Sequence, residues 1–355
     1  MAENLTPFVF ALEQWYELHK RNLPWRGTHD PYRIWVSEII LQQTRVAQGY
    51  DYYLHFISEF PDVAALAAAP EEKVLRVWQG LGYYSRARNM LAAARTVMEK
   101  YGGQFPADYS EVRGLKGIGD YTAAAICSIA YNQPYAVLDG NVFRVLSRYF
   151  AVDLPIDSTD GRKYFKHLAD EMLDRRRPGY YNQAIMDFGA LQCVPKSPDC
   201  LDCPLADSCL AFAEGKVENF PRKEKKTAVN DRFLFYVIIR KGDSVYLHRR
   251  GDKDIWAGLY EPYLVEYPGV PSEQDMAQRL DSQFGDALIR VRRLVERRKH
   301  VLTHRRLWIN ACLVEVRPDY ELQDYELVKI KGIRKYPMPK PIVDIFSELQ
   351  SNPHP

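Results

Sequence analysis

The 355 residues carry 48 basic and 46 acidic side chains, a net charge of +2, and 46% hydrophobic content, which excludes a disordered chain and a uniformly basic or acidic one. That length and apolar content suffice for about two hydrophobic cores. No stretch reaches 18 uninterrupted apolar residues, and the N-terminus lacks the basic, apolar and small-residue order of a secretion leader, so a cytoplasmic location is expected, on the nucleoid if the cell is bacterial.

In chain order, Asp30-Pro31 reads as an N-cap followed by a proline at the first helical position. The helix it opens contains WVSEIILQQT (35–44), where Glu38 stands among Ile34, Trp35, Val36, Ile39, Ile40 and Leu41. A carboxylate in such a run is costly unless it is paired or protonated. Residues 70–79 (PEEKVLRVWQ) and 84–101 (YSRARNMLAAARTVMEKY) have helical periodicity, and Gly102-Gly103 is a stop.

LKGIGDYTAAAI (115–126) predicts a helix end, a tight turn with Gly117 and Gly119, and an Ala-rich helix. It reads either as an ordinary αα-hairpin or as a helix-hairpin-helix whose backbone N–H groups point at a phosphate, gripping duplex DNA without reading its sequence. In AVLDGNVFRVLSR (136–148), Asp139 precedes Gly140 and an amphipathic helix. As an N-cap it is expected to be held ionised by N–H donors and the helix dipole, the reverse of Glu38. Two carboxylates pushed apart in this way supply an acid and an anion at neutral pH.

Four of the six cysteines follow as Cys193, Cys200, Cys203 and Cys209, in the pattern C-x6-C-x2-C-x5-C. In an intracellular chain this argues for metal rather than disulfides, and four thiolates suit either a tetrahedral zinc or an iron-sulfur cluster. Cys127 and Cys312 lie in apolar runs and are expected in the core. Residues 221–231 (PRKEKKTAVND) read as a linker, and beyond them 233–240, 244–250, 259–267 and 307–316 are rich in β-branched and aromatic residues. Between these strands, 272–285 has a Ser cap and a closing Gly and is expected to be a helix. Two basic runs, RKEKK at 222–226 and RVRRLVERRKHVLTHRR at 290–306, are either solvated faces or nucleic-acid contacts.

Together PWR (24–26), WVSEIILQQT, QGLGYYSRA (79–87), LKGIG, LDGNV (138–142), the cysteine spacing and the β-rich second part resemble the adenine DNA glycosylases (MutY family) of the helix-hairpin-helix superfamily of endonuclease III. The resemblance spans nearly the whole chain. It implies a mostly α N-terminal helix-hairpin-helix glycosylase domain over 1–220 with an iron-sulfur loop at 193–209, a linker at 221–231, and an α+β Nudix-like C-terminal domain over 232–355.

The partner it implies is double-stranded DNA with adenine opposite 8-oxoguanine or guanine, bound by a monomer with no membrane involvement. The adenine is flipped out of the duplex and hydrolysed from its sugar. Glu38 matches the general acid that protonates adenine nitrogen 7, and Asp139 the carboxylate that stabilises the cationic sugar, with Asn141 beside it. Tyr121 stands where bifunctional relatives carry a Schiff-base lysine, which implies base removal without efficient strand cleavage. Trp25, Arg26 and Gln183 match the adenine pocket, Gln43 a wedge into the base stack, and Leu81 and Tyr83 the surroundings of the orphaned base. Cys193, Cys200, Cys203 and Cys209 match the ligands of a 4Fe-4S cluster.

This chain departs from the family at two places. Leu302-Thr303-His304 replaces Phe-Ser-His in the loop that reads the lesion, so Thr303 and His304 are the expected contacts there. Lys116 replaces a common proline in the hairpin. The second domain lacks the paired glutamates of the Nudix hydrolase box and is expected to bind rather than hydrolyse. The alternatives are a thymine-mismatch or oxidised-pyrimidine glycosylase of the same superfamily, a noncatalytic iron-sulfur DNA-damage-binding protein, and a Nudix pyrophosphatase. Glu38 weighs against the pyrimidine enzymes, the two carboxylates against the noncatalytic protein, and the missing box against the pyrophosphatase.

Overall fold

Asp30 and Pro31 start a helix as expected: in the computed structural model, which describes residues 7–224 and 229–351, the Asp30 carboxylate accepts the Tyr32 N–H at 2.9 Å and the helix runs Pro31–Leu41. Every residue from Ile34 to Ile40 is buried, so this is a central helix rather than a surface one. Trp35, fully buried, packs on Phe105 at 5.5 Å, and truncating it to Ala is expected to cost about 3–5 kcal/mol.

The Pro31–Leu41 helix lies against the Asp120–Tyr131 helix, whose Ala123, Ala124 and Ala125 permit close approach. The Asp120–Tyr131 helix is the second arm of the expected hairpin. The first arm is Tyr109–Gly114, capped by Asp108 onto the Ser110 and Glu111 N–H groups. Gly117 lies between the arms at φ +84°, and a Cβ there would stand 2.7 Å from Asn89 Cβ, so both conformation and space require glycine. The Pro178–Leu191 helix packs on the Gly140–Tyr149 helix, where Gly189 allows contact with Asn141.

The chain divides into two compact units, Met1–Ala68 with Asn89–Lys226, and Ala69–Arg88 with Thr227–Pro355. The first contains the helices above. Among the described residues the second has seven strands: β1 (Asn230–Lys241), β2 (Ser244–Arg249), β3 (Tyr260–Glu261), β4 (Tyr263–Tyr267), β5 (Leu288–Val301), β6 (Arg305–Val316) and β7 (Glu326–Lys329). They form the order β3-β2-β1-β6-β5, with β4 added to β1 and β7 to β2, and only β1 and β6 run parallel. β1 is apolar at every position from 233 to 239 because both its faces are covered. Leu234, Tyr236 and Ile238 face a core that includes Ile342, Ile345 and Phe346 of the Lys340–Ser351 helix. Phe235, Val237 and Ile239 face Leu280 and Phe284 of the Glu273–Phe284 helix, which has the expected Ser272 cap.

Several features differ from the sequence expectation. The run 259–267 is split by Pro262 into β3 and β4. The basic run at 290–306 is mostly β5, an end strand of the sheet, and neither β7 nor the Lys340–Ser351 helix was expected. Residues 69–88, placed by the sequence in the first domain, pack within the second unit: Tyr84 Oη donates to Met338 O at 3.3 Å, Gln79 Oε1 accepts the Met338 N–H at 3.0 Å, and Tyr260 Oη donates to Glu72 Oε1 at 3.2 Å. Of the expected linker, 225–228 fall outside the described residues, while Arg222 O accepts the Ile156 N–H at 2.9 Å. No helix among the described residues is long and apolar enough to cross a membrane.

Candidate active site

Within the first unit a cavity of about 200 Å³ is lined by Trp25, Arg26, Glu38, Tyr121, Asp139, Asn141 and Gln183, all expected from the sequence. Three helices carry the reactive groups. Pro31–Leu41 holds Glu38 two turns in, Asp120–Tyr131 presents Tyr121 from its first turn, and Asp139 caps Gly140–Tyr149.

Burial pushes the Glu38 carboxyl above its ordinary value, with the charge of Asp139 adding to the rise. A hydrogen bond from Tyr121 Oη to Oε2 at 2.7 Å and the charge of Arg26 oppose it without reversing it. Met186 Sδ lies 3.2 Å from the same phenol. Asp139 accepts three hydrogen bonds, from Asn141 N at 2.9 Å and Val142 N at 2.8 Å on Oδ1, and from Asn141 Nδ2 at 2.9 Å on Oδ2.

The expectation that Asp139 is driven opposite to Glu38 needs correction, because burial outweighs those bonds and raises its carboxyl too. The two differ instead in donors. Three N–H groups favour the anion at Asp139 and one phenol does so at Glu38.

Four residues that sequence reasoning did not single out support the cavity: Arg21 lines it, and Asp187, Tyr16 and Arg144 bond to residues that line it. Asp187, with no exposed surface, accepts Arg21 Nη2 at 2.5 Å and Arg26 Nη2 at 2.9 Å. Tyr16 Oη donates to Gln183 Oε1 at 3.2 Å and accepts Arg26 Nη1 at 3.4 Å. Asp187 carried a readable signal, since it is a carboxylate inside the apolar run AIMDFGA, as Glu38 is in its own. Arg144 Nη2 donates to Asn141 Oδ1 at 2.9 Å and its Nε to Cys193 O at 2.7 Å, so one guanidinium spans the cysteine loop and the partner of Asp139.

Cys193, Cys200, Cys203 and Cys209 line a second, smaller cavity of about 30 Å³. Among the described residues no three His, Cys, Asp or Glu side chains close on one point as the ligands of a single ion do. The donors around the sulfurs suit thiolate ligands: Arg148 Nη1 is 3.4 Å from Cys193 Sγ, the Leu205 N–H points at Cys203, and those of Ala211 and Phe212 point at Cys209. Cys127 and Cys312 are buried.

The remaining expected residues lie outside the cavity. Gln43 is exposed with φ +56°, and Tyr83 is 44% exposed with φ +46°; each holds a backbone conformation that L side chains rarely adopt, a recurrent property of functional sites. Leu81 is buried, not presented. Gly119 has extended backbone and open space where a Cβ would stand. In the second unit, Leu302-Thr303-His304 forms the β5–β6 turn, closed by Leu302 N–H to Arg305 O at 2.8 Å, with Thr303 and His304 exposed. The Thr303 hydroxyl is hydrogen-bonded to the Tyr83 hydroxyl, so two expected lesion contacts meet.

Residues 36–171 match the HhH-GPD superfamily of base excision DNA repair proteins, and residues 235–348 match the NUDIX domain. The adenine DNA glycosylase of Buchnera aphidicola subsp. Baizongia pistaciae (strain Bp) is 33% identical over 318 residues, covering 87% of each chain. That of Homo sapiens is 42% identical over 327 residues, covering 76% of this chain and 59% of its own. Among solved structures, a thermostable thymine-DNA glycosylase aligns with 58% of this chain and 95% of its own at 28% identity and a TM-score of 0.54. A trapped endonuclease III–DNA covalent intermediate shares the fold, with a TM-score of 0.51 at 20% identity over 60% of this chain and 99% of that one.

Proposed function

The chain belongs to the adenine DNA glycosylase family, and from that premise we propose that it hydrolyses the N-glycosidic bond of adenine opposite 8-oxoguanine, and opposite guanine, leaving an abasic site. The observation that carries this reading is Glu38, a buried carboxyl pushed toward its protonated form in a cavity it shares with Asp139.

A flipped adenine enters between Trp25, Arg26 and Gln183. Glu38 gives a proton to ring nitrogen 7, so the base leaves neutral as the glycosidic bond breaks. Positive charge then develops on the sugar, and Asp139, whose anion is favoured by its three N–H donors, stabilises it. Water adds to the sugar and its proton passes to solvent or to Glu38, restoring the acid. Tyr121 orients Glu38 and, being a phenol, forms no Schiff base, so the strand stays intact until alkali breaks it.

In the second unit, Thr303, His304 and Tyr83 form the surface that reads 8-oxoguanine. Two of the three acidic residues of the Glu273–Phe284 helix are engaged elsewhere, Asp275 in the cap with Ser272 and Glu273 with Arg293, consistent with binding rather than magnesium-dependent hydrolysis.

Cys193, Cys200, Cys203 and Cys209 would hold a 4Fe-4S cluster. When bound, the cluster ties the loop covalently and supplies fixed charge to the surrounding N–H and guanidinium donors. Iron and acid-labile sulfide in a 1:1 ratio, with broad visible absorbance, are the expected analysis. Stoichiometric zinc would overturn this assignment.

The function is tested by single-turnover incubation with duplexes holding adenine opposite 8-oxoguanine, adenine opposite guanine, thymine opposite guanine, or an oxidised pyrimidine, each with and without alkali. Loss of adenine, fastest opposite 8-oxoguanine, with breaks only after alkali, is expected. Preferential loss of thymine or the oxidised pyrimidine would overturn it.

A further inference from the structure

Asp254 lies in the segment joining β2 to β3, in no motif that the sequence singles out. Three guanidiniums converge on its carboxylate: Arg305 Nη1 at 2.7 Å, Arg232 Nη1 at 2.8 Å and Arg250 Nη2 at 2.9 Å. They arrive from the first residue of β6, from β1, and from the residue after β2. Burial alone would raise this carboxyl, but Arg305, the Ile255 N–H and Arg232 bring it down to about 2.

The three arginines are not equivalent. Arg232 is also held by Glu266, through Nε and Nη2 at 2.6 Å each, and Arg250 by Glu261. Arg305 forms its ion pair with Asp254. It also follows His304 directly, and its carbonyl closes the turn of Leu302, Thr303 and His304. On the other side of that turn, the Asn230 N–H donates to His304 O at 3.1 Å, in register with Arg305 across β1 and β6.

We propose that Asp254 is the positioning residue of the Thr303–His304 turn, fixing through Arg305 the angle at which the turn meets the base opposite the excised adenine. The proposal rests on the reading of that turn as the 8-oxoguanine contact. Removing the Asp254 charge leaves three like charges around one point. Arg232 and Arg250 remain anchored by their second carboxylates, so Arg305 is the group that moves, and the turn moves with it.

Asp254→Asn in the full chain is expected to reduce the preference for adenine opposite 8-oxoguanine over adenine opposite guanine by about tenfold or more, as misplacement of a positioned group does. Single-turnover rates at saturating enzyme measure that ratio. Asp254→Glu, which keeps the charge, is expected to restore most of it. Arg305→Gln cuts only the link to the turn, leaves the rest of the hub in place, and should reproduce the loss even if Asp254→Asn folds poorly.

Equal falls on both substrates, or a wild-type ratio in both Asp254→Asn and Arg305→Gln, would overturn the proposal. If the wild type shows no preference, or a Thr303→Ala/His304→Ala double variant keeps it, the reading of the turn fails and the proposal with it. Loss of preference in that double variant but not in Asp254→Asn or Arg305→Gln overturns the proposal alone.

Discussion

Glu38 and Asp254 are carboxylates in different units of one chain, and their surroundings drive them in opposite directions. Glu38 is buried among apolar side chains with one phenol as donor, and its proton is held more tightly than usual. Asp254 is a third exposed, faces three guanidiniums, and gives its proton up down to about 2. Burial with one donor raises a carboxyl toward its acid form; three guanidiniums on a partly exposed carboxylate hold it as the anion. The same side-chain chemistry is thus driven to opposite protonation states by its surroundings.

The largest effect that would break this comparison comes from Glu38→Gln. Removing a general acid is expected to slow adenine excision about 10³-fold while duplex binding, read by gel shift or anisotropy, persists. The same substitution tests the cost of burial. Because the folded Glu38 carboxyl is pushed up, its contribution is fully present below the unfolded value, about 4.3, and is lost as pH rises through the folded one. Melting temperatures of Glu38→Gln should therefore exceed those of the wild type by a margin that widens as pH rises above the unfolded value and levels off beyond the folded one.

Asp139→Asn comes next, with a loss of about 10²-fold expected because the sugar cation loses its counter-charge. Asn caps helices about as well as Asp, so the melting temperature should change little. A large drop in stability with modest loss of rate would assign Asp139 to the cap alone.

Deleting 232–355 removes the groups that Gln79, Tyr84, Glu72 and Arg88 bond, the last through Ala257 O. Amide exchange in the remaining chain is expected to rise most across 69–88, and uniform protection there would show that this segment holds by itself.

A smaller effect is expected from Tyr121→Phe, which takes away the donor that lowers the Glu38 carboxyl. The alkaline limb of the pH–rate profile should move to higher pH, whereas a shift to lower pH would mean the phenol favours the protonated acid.

The smallest effect concerns Asp254. Its depressed carboxyl contributes stability above about 4 that is lost as pH falls through about 2, on the order of 1 kcal/mol once solvent screening is allowed for. Urea melts of the wild type and Asp254→Asn should differ at pH 5 and converge toward pH 2.

Much of the first unit was legible because its signals are local. Asp30-Pro31, the Gly117 turn and the Ala-rich helix after it each encode their geometry within a few residues, and Glu38 betrays itself by sitting in an apolar run. Asp187 bears the same mark, yet its meaning depends on Arg21 and Arg26, which stand about 160 residues away in the chain and are named only by the packed helices. β5 was read as charge because an end strand with an exposed side can carry arginine at many of its positions without losing its pairing to β6.

By itself the sequence determined the Asp30 cap and the helix it opens, the hairpin, the central strand β1 and the Ser272-capped helix, and it marked two carboxylates and four cysteines as candidates. These depend on periodicity, on residue type and on neighbours within a turn or two. Only the tertiary structure decided that burial raises Asp139 despite its donors, that 69–88 packs with strands encoded far downstream, and that Asp254 gathers three arginines. Desolvation and ion pairing depend on what stands around a group in space, and no window of the chain contains that information.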